Sequence, residues 1–232
     1  MNASGAKWHA SQAYKEDSMA VQQSSNESQR RVNRPENWRH RLPTLSNAVV
    51  TLRELRAPDA ASLLEHLANP SVGKYIAPPP RTVDWFKHFI RWSQAQRRHG
   101  THLCFGIVPC GHAKAVGVVQ IWPIEPDFST AEWGFALGEA FWGTGLFVEA
   151  AHLLFEFAFE TLSVARLEAR AVDTNGRGNG VLRKLGATGE GRLRGGSRLG
   201  ESVRDQVMWS ILAEEWNARR DDDSILNEPG SR

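Results

Sequence analysis

The apolar positions of this chain follow two periods in turn, one of two residues and one of three to four. Segments of the first kind alternate or run continuously apolar, as β-strands do; they span 48–52, 102–108, 115–121, 130–138, 165–172 and 203–212. Segments of the second kind place apolar residues on one side of a helix; they span 58–69, 85–99, 146–162 and 181–185. The order predicts an α/β (α+β) fold on a mixed sheet, β-α-α-β-β-β-α-β-α-β, with a further short strand near Arg192.

The two ends of the chain lack this periodicity. Residues 1–44 are rich in Ser, Gln and Arg, so little apolar area offsets chain entropy there, and we expect a disordered or loosely packed extension. A targeting segment or a nucleic-acid-binding arm is the alternative for this basic start. Residues 217–232 include three consecutive aspartates and are expected to form a polar tail. One folded domain is therefore predicted over 45–216.

Composition narrows the class of protein. A chain of 232 residues suffices for one well-buried domain, and a net charge of +2 gives no strong attraction to nucleic acid or membrane. The only cysteines are Cys104 and Cys110, too few for a disulfide framework. No stretch approaches the about 18 uninterrupted apolar residues of a membrane span. We expect a cytoplasmic protein, a monomer or a homodimer, that binds neither membrane nor nucleic acid.

The clearest chemical signal lies where the strand at 130–138 meets the long helix. The segment Trp142-Gly143-Thr144-Gly145 leads directly into the helix at Leu146. Glycines beside a helix N-terminus expose backbone N–H groups and partial positive charge, which suit a pyrophosphate, although the same pattern also forms ordinary turns. A P-loop is excluded because its lysine is missing, and a dinucleotide fingerprint is excluded because Val148 replaces its third glycine.

Further motifs follow one another in a fixed order between Pro43 and Trp216. They are Val50-Thr51-Leu52-Arg53, Glu132-Trp133-Gly134-Phe135, the segment from Trp142 to Phe147, Asn175, the segment from Val181 to Gly186, Glu190-Gly191, and Gln206 to Trp216. This series resembles the GNAT acyltransferases, in particular the ribosomal-protein N-terminal acetyltransferases and related small-molecule enzymes. The resemblance implies the GNAT fold, whose fourth and fifth strands splay apart, and N-acetyltransferase activity.

The resemblance also implies a site. Acetyl-CoA, the acyl donor, would lie between the splayed strands, and a primary amine would attack its thioester directly, without a metal. Glu132 would act as the base, although an ion pair with Arg170 or a structural hydrogen bond is the alternative for this carboxylate. The residues implied in acetyl-CoA binding are Phe135, Ala136 and Leu137 along the pantetheine arm, Trp142, Gly143, Thr144, Gly145, Leu146 and Phe147 around the pyrophosphate, and Asn175 on the opposite side.

The chain departs from the family pattern at several positions. Trp142 stands in place of Arg or Gln, Phe147 in place of a small residue and Gly178 in place of a serine. No tyrosine follows Asn175 to protonate the leaving thiolate, which leaves water, Asn179 or another polar group for that step. A module that binds acyl-CoA or a partner without turnover is therefore the alternative function. A groove blocked by Phe147 would favour the module, and an open groove would favour the enzyme.

The acceptor site is implied only by region, the segments 75–92 and 192–204. Trp85 and Trp92 either line this site or pack in the core. The arginines of the second segment either attract an acidic acceptor or form a solvated face. The acceptor itself, a protein N-terminus or a small-molecule amine, stays open.

Overall fold

The fold is built on one mixed sheet of eight strands. The structure, a computed structural model, describes residues 36–199 and 202–226. The strands are β1 (Leu45–Ser46), β2 (Val50–Glu54), β3 (Leu103–Pro109), β4 (Gly117–Pro123), β5 (Thr130–Leu137), β6 (Arg166–Val172), β7 (Thr188–Leu199) and β8 (Ser202–Leu212), and their spatial order is β1-β2-β3-β4-β5-β6-β8-β7. All neighbouring strands are antiparallel except β5 and β6, which are parallel.

Helices cover both faces of the sheet. They are α1 (Ala60–Leu67), α2 (Pro70–Gly73), α3 (Val83–His99), α4 (Leu146–Glu156), α5 (Gly176–Lys184) and α6 (Ala213–Leu226). The apolar sides of α1 and α3 pack on one face with β3 and β4, while α4 and α5 contribute to a second core on the other face. In each core, the side chains that pack against the sheet are those that the helical period of the sequence places on one face of their helix.

Local signals in the sequence fix the ends of several helices. Thr82 accepts a hydrogen bond from Trp85 N at 3.3 Å and caps α3, and Gly100, with φ of 74°, ends it as predicted. Asn69 was predicted to end a helix with Pro70, but it also caps the next one, because its Oδ1 accepts from Ser71 N at 3.0 Å and Pro70 is the first residue of α2.

The predicted splay of two central strands is confirmed. They are β5 and β6 here because the short β1 adds one strand to the count. The two strands pair only where Thr130–Glu132 lies beside Arg166–Glu168. Beyond that point β5 stays bonded to β4 as far as Leu137, and β6 stays bonded to β8 as far as Val172. A wedge therefore opens between two strands that each remain anchored on their outer side.

Three predicted elements differ from the structure. The helix expected at 181–185 begins earlier, at Gly176, and the short strand expected near Arg192 is the twelve-residue β7. The long helix expected to reach residue 162 is α-helical only to Glu156, and a π-helical turn, Phe157–Thr161, follows it. Glycine lowers helix and strand propensity, which hid the true lengths of α5 and β7.

Both ends of the described part reach beyond the predicted domain. Glu36–Arg39 forms a 3-10 turn, and Trp38 and Leu42 are buried in the core to which α4 contributes. Trp38 meets Phe128 edge to face, with ring centroids 5.8 Å apart. At the other end α6 continues to Leu226, within the segment predicted to be a tail. The expectations for 1–35 and 227–232 lie outside the described residues.

Candidate active site

A cavity of about 620 Å³ opens where β5 and β6 separate. Its walls come from the end of β5, the turn before α4, the first residues of α4, the cavity side of α5, and residues 71–76 after α1. The residues predicted to contact acetyl-CoA that line it are Phe135, Ala136, Leu137, Trp142, Gly143, Gly145, Phe147 and Asn175. The cavity therefore joins sequence motifs that lie about 40 positions apart along the chain.

The end of β5 offers backbone groups to this cavity. Gly138 N donates to Val116 O at 3.0 Å, and backbone groups alternate in direction along a strand, so Ala136 also turns towards β4. Phe135 and Leu137 therefore direct their N–H groups at the wedge, where β6 no longer pairs. The Leu137 carbonyl is already engaged, because it accepts a hydrogen bond from Trp142 Nε1 at 2.9 Å.

The turn before α4 forms a cup of backbone amides. Gly143 and Gly145 have φ of 75° and 85°, which side chains rarely adopt, and a Cβ added to either would meet nothing within 4 Å. No side-chain cap closes the N-terminus of α4 at Gly145. The open space, the backbone amides of the turn and the helix dipole together fit a pyrophosphate.

Two of the predicted contact residues do not line the cavity but shape the cup. Thr144 Oγ1 donates to Phe141 O at 2.9 Å and accepts from Leu146 N at 3.3 Å, so its side chain braces the turn. The Leu146 side chain is buried in the core. Both residues therefore contribute backbone geometry at this end of the cavity, and their side chains are directed elsewhere.

Phe147 does not fill the cup. Its ring is 8% exposed and lies against Phe135, with centroids 4.0 Å apart, and parallel to Trp133 at 6.3 Å. This aromatic cluster packs the start of α4 onto β5 and leaves Gly143 and Gly145 unobstructed. The groove is therefore open, the condition under which the sequence favours an enzyme over a non-catalytic module.

Asn175 lines the cavity and also caps α5. Its Oδ1 accepts from Gly178 N at 2.9 Å, and among the described residues no acceptor bonds its Nδ2. A Cβ on Gly178 would lie 2.5 Å from that Nδ2, so a serine there would require Asn175 to move. Asn179 is not available for proton transfer, because its amide bonds Val172 O, Asn175 O and the Trp209 indole.

Glu132 lies outside the cavity, at the point where the wedge begins. It belongs to the last residue pair of β5 and β6, opposite Glu168. The side chain is 2% exposed, and its Oε1 lies 3.8 Å from Arg170 Nε, so the ion pair offered as the alternative is present. Alternation along β5 places Glu132 on the same face as Ala136, the face covered by α1 and α3.

Several cavity residues escaped the sequence-based search for chemistry. Tyr75 enters from the segment 71–76, and its hydroxyl makes no hydrogen bond within 36–199 and 202–226. The centroid of the Tyr75 ring lies 5.1 Å from Lys74 Nζ and 6.0 Å from the Arg204 guanidinium carbon, so the β7–β8 hairpin touches this segment. Arg177 and Lys184 of α5 also line the cavity. No motif marks these residues, because only the tertiary fold brings them together.

The lining is cationic where it is charged. Lys74, Arg177 and Lys184 contribute positive charge, and no carboxylate of the described chain lines the cavity. In this part of the chain no group of three His, Cys, Asp or Glu side chains could hold a metal ion. None of the described helices is both long enough and apolar enough to cross a bilayer. The charge distribution fits an anionic ligand that carries phosphate groups.

A mixed sheet with one splayed parallel pair and an amide cup at the wedge defines an acyltransferase that uses an acyl-CoA donor. Residues 50–188 match the family model described as "Acetyltransferase (GNAT) domain". The match covers more than half of the chain, so the chain belongs to the GNAT acetyltransferase family, whose members transfer an acetyl group from acetyl-CoA.

Known proteins resemble the chain over most of its length. "Uncharacterized N-acetyltransferase p20" of Bacillus licheniformis is 28% identical over 75% of this chain and 99% of its own. "Putative ribosomal N-acetyltransferase YdaF" of Bacillus subtilis strain 168 is 26% identical over 75% and 97%. The structure of the microcin C7 self-immunity acetyltransferase MccE with acetyl-CoA and AMP superposes with a TM-score of 0.65, at 24% identity, over 72% of this chain and 93% of that one, which shows the shared fold.

Proposed function

We propose that this acetyltransferase holds acetyl-CoA in the wedge and transfers its acetyl group directly to a primary amine that enters from the side of residues 71–76. The observation that carries the proposal is the single cavity that joins the free edge of β5, the Gly143–Gly145 cup and Asn175. The pantetheine arm pairs with the N–H groups at the end of β5, and the pyrophosphate lies on the cup at the start of α4.

The end of β5 also supplies electrostatic stabilisation. An N–H of Phe135 or Leu137 donates to the thioester carbonyl, whose oxygen becomes negative as the amine nitrogen bonds to the carbonyl carbon. A well-placed backbone donor of this kind contributes about 3–4 kcal/mol to transition-state stabilisation. The rigid ladder with β4 holds the donor in place, since β5 is paired with β4 from Pro123–Ala131 to Gly117–Leu137.

Glu132 is the proposed base. Attack requires a neutral amine, and the nitrogen loses a proton once the new C–N bond has formed. Glu132 lies on the face of β5 against which residues 71–76 and α3 pack. We therefore assign Glu132 as the group that receives this proton, with one water molecule carrying it from the amine nitrogen. The Arg170 ion pair fixes the carboxylate at the vertex of the wedge.

Tyr75 is the proposed acid. Breaking the C–S bond leaves a thiolate, which takes up a proton to become free CoA. A phenol can donate that proton. Tyr75 lines the cavity, and its hydroxyl has no hydrogen-bond partner among the described residues. Its ring also lies within 5.1 Å of Lys74 Nζ and 6.0 Å of the Arg204 guanidinium carbon.

The acceptor class follows from the cavity and from the relatives. The similarity to a protein named as a ribosomal N-acetyltransferase supports a protein N-terminus as the amine, and a small-molecule amine is the other choice. We assign the site to a peptide N-terminus on the strength of that similarity, with the amine entering beside residues 71–76, which line the cavity.

A panel of acceptors tests this function. Short peptides with free α-amines, the same peptides with blocked α-amines, and small amines are mixed with acetyl-CoA, and CoA release is followed with a thiol reagent. We expect turnover with free α-amines alone.

The Glu132→Gln variant should lower kcat about 100-fold and leave acetyl-CoA affinity unchanged, while the neighbouring Glu168→Gln should not lower kcat to this extent. Equal turnover with blocked peptides, or full activity of Glu132→Gln, contradicts the proposal.

A further inference from the structure

An arginine of α5 is stacked on a tryptophan at the rim of the phosphate cup. The guanidinium carbon of Arg177 lies 4.1 Å from the centroid of the Trp142 ring. Trp142 comes directly before Gly143, the first residue of the cup, and both Arg177 and Trp142 line the cavity. The contact therefore connects the turn before α4 with the first turn of α5, on two sides of the wedge.

Both partners of this contact are held in place by other bonds. The Trp142 indole donates from Nε1 to Leu137 O at 2.9 Å, which fixes the ring against the end of β5. Arg177 is the second residue of α5, whose first turn is capped by Asn175. A guanidinium whose carbon lies over an indole ring still has its N–H groups free to bind an anion.

No carboxylate of the described chain neutralises Arg177. It forms no ion pair among the described residues, whereas Arg192 of β7 is paired with both Asp173 and Asp205. The cavity that Arg177 lines contains no acidic side chain of the described residues either. An exposed guanidinium that lies beside an amide cup and is not neutralised by a carboxylate is suited to bidentate binding of a phosphate.

We propose that Arg177, held over the Trp142 ring, binds the pyrophosphate of acetyl-CoA and so completes the phosphate site that the backbone of Gly143 and Gly145 begins. The inference rests on the proposed placement of acetyl-CoA in the wedge. The pyrophosphate is the group concerned because Trp142 adjoins the cup itself. Lys184 lies on the same side of α5 but seven residues on, about 10 Å along the helix, too far to share that group.

The chain offers a matched control for Arg177. Arg183 lies on the same helix and also stacks on a tryptophan, with its guanidinium 5.6 Å from the Trp209 ring, but it does not line the cavity. Arg177→Gln and Arg183→Gln therefore remove the same charge and the same kind of ring contact from one helix. Only the first removes a proposed phosphate ligand.

Calorimetric titrations with acetyl-CoA and with its 3′-dephospho form test the assignment on the full chain. We expect Arg177→Gln to weaken both ligands about ten- to hundredfold, and Arg183→Gln to leave both within about twofold of the wild type. Arg177→Lys should bind with intermediate affinity, since a lysine keeps the charge but loses the planar fork. Trp142→Leu should weaken binding about two- to fivefold in the wild type and by a smaller factor in Arg177→Gln, because part of its effect passes through the arginine.

Each other result overturns the inference in a recognisable way. A loss confined to the 3′-phosphorylated ligand would place Arg177 on the 3′-phosphate. Wild-type affinity in Arg177→Gln, or equal losses in both arginine variants, would make the contact structural or non-specific. A wild-type protein that binds neither ligand would remove the proposed function itself. Thermal melts of all variants confirm that a lost affinity reflects the site and not unfolding.

Discussion

At the scale of single residues, the cavity contains a candidate catalytic side chain that does not belong to any of the sequence motifs. The family resemblance implies a tyrosine after Asn175 that protonates the leaving thiolate, and the chain has none in that segment. Tyr75 instead enters the same cavity from the segment after α2, beside Lys74. Its hydroxyl is the only feature that distinguishes it from phenylalanine, so the role of the proton donor can be isolated with one atom.

We predict that Tyr75→Phe keeps acetyl-CoA affinity within about twofold and lowers kcat about 100-fold, because the ring contacts survive and the acidic proton is lost. The measurement is kcat and KM with the best peptide acceptor, and the loss should appear in kcat and not in KM. A raised KM with an unchanged kcat would instead mean that Tyr75 only positions the acceptor.

At the scale of elements, a buried carboxylate joins three segments on the α1 side of the sheet. Asp59, 1% exposed, accepts two hydrogen bonds of 2.8 Å from Arg53 of β2, and further bonds from Arg56 N and Ala115 N. Burial alone would raise the pKa of Asp59, but the bonds from Arg53 and the two amides outweigh it and hold the pKa below its ordinary value of 3.8. The carboxylate thus ties the start of α1 to β2 and to the segment before β4.

We predict that this carboxylate makes the fold acid-sensitive. Since the folded pKa of Asp59 is lowered, its contribution is fully present above pH 3.8, the ordinary value, and is lost as pH falls through the folded pKa. Asp59→Asn should lower the free energy of unfolding by about 3–5 kcal/mol at neutral pH, because Arg53 stays buried without its partner. Urea unfolding of both proteins at several pH values measures this. A variant whose stability falls with acid as steeply as the wild type would contradict the assignment.

The sequence predicted elements well where apolar periodicity decides them and poorly where glycine interrupts it. The boundaries of α3 and β5 lie within a few residues of the prediction, since caps and alternation mark them. The first turn of α5 was missed because Gly176, Gly178 and Gly180 carry no apolar pattern, and the turn is held by the Asn175 cap instead. The residues of the cup were predicted from the family resemblance, whereas the bonds by which Thr144 braces the turn are encoded by no motif.

At the scale of the whole molecule, the site depends on a break in one ladder of an otherwise continuous sheet. β5 and β6 pair over three residues and then part, and the cavity fills the gap. One wall consists of the end of β5 and the cup. Its residues belong to the sequence motifs themselves, so they were predicted to line the donor site. The other walls, residues 71–76 and the cavity side of α5, arrive through chain topology, which a single sequence does not reveal residue by residue. The sequence therefore predicted only the segments that form the acceptor side, whereas it predicted individual residues for the donor side.

The central claim is that acetyl-CoA lies on the Gly143–Gly145 cup, and one calorimetric titration tests it most directly. Gly145→Glu puts a carboxylate where the pyrophosphate would lie, and Gly111→Glu is the control, because Gly111 also has positive φ and open space but does not line the cavity. We predict acetyl-CoA binding in the micromolar range for the wild type and Gly111→Glu, and binding at least about 100-fold weaker for Gly145→Glu. Equal affinity in all three proteins, or no binding by the wild type at millimolar acetyl-CoA, would contradict the account.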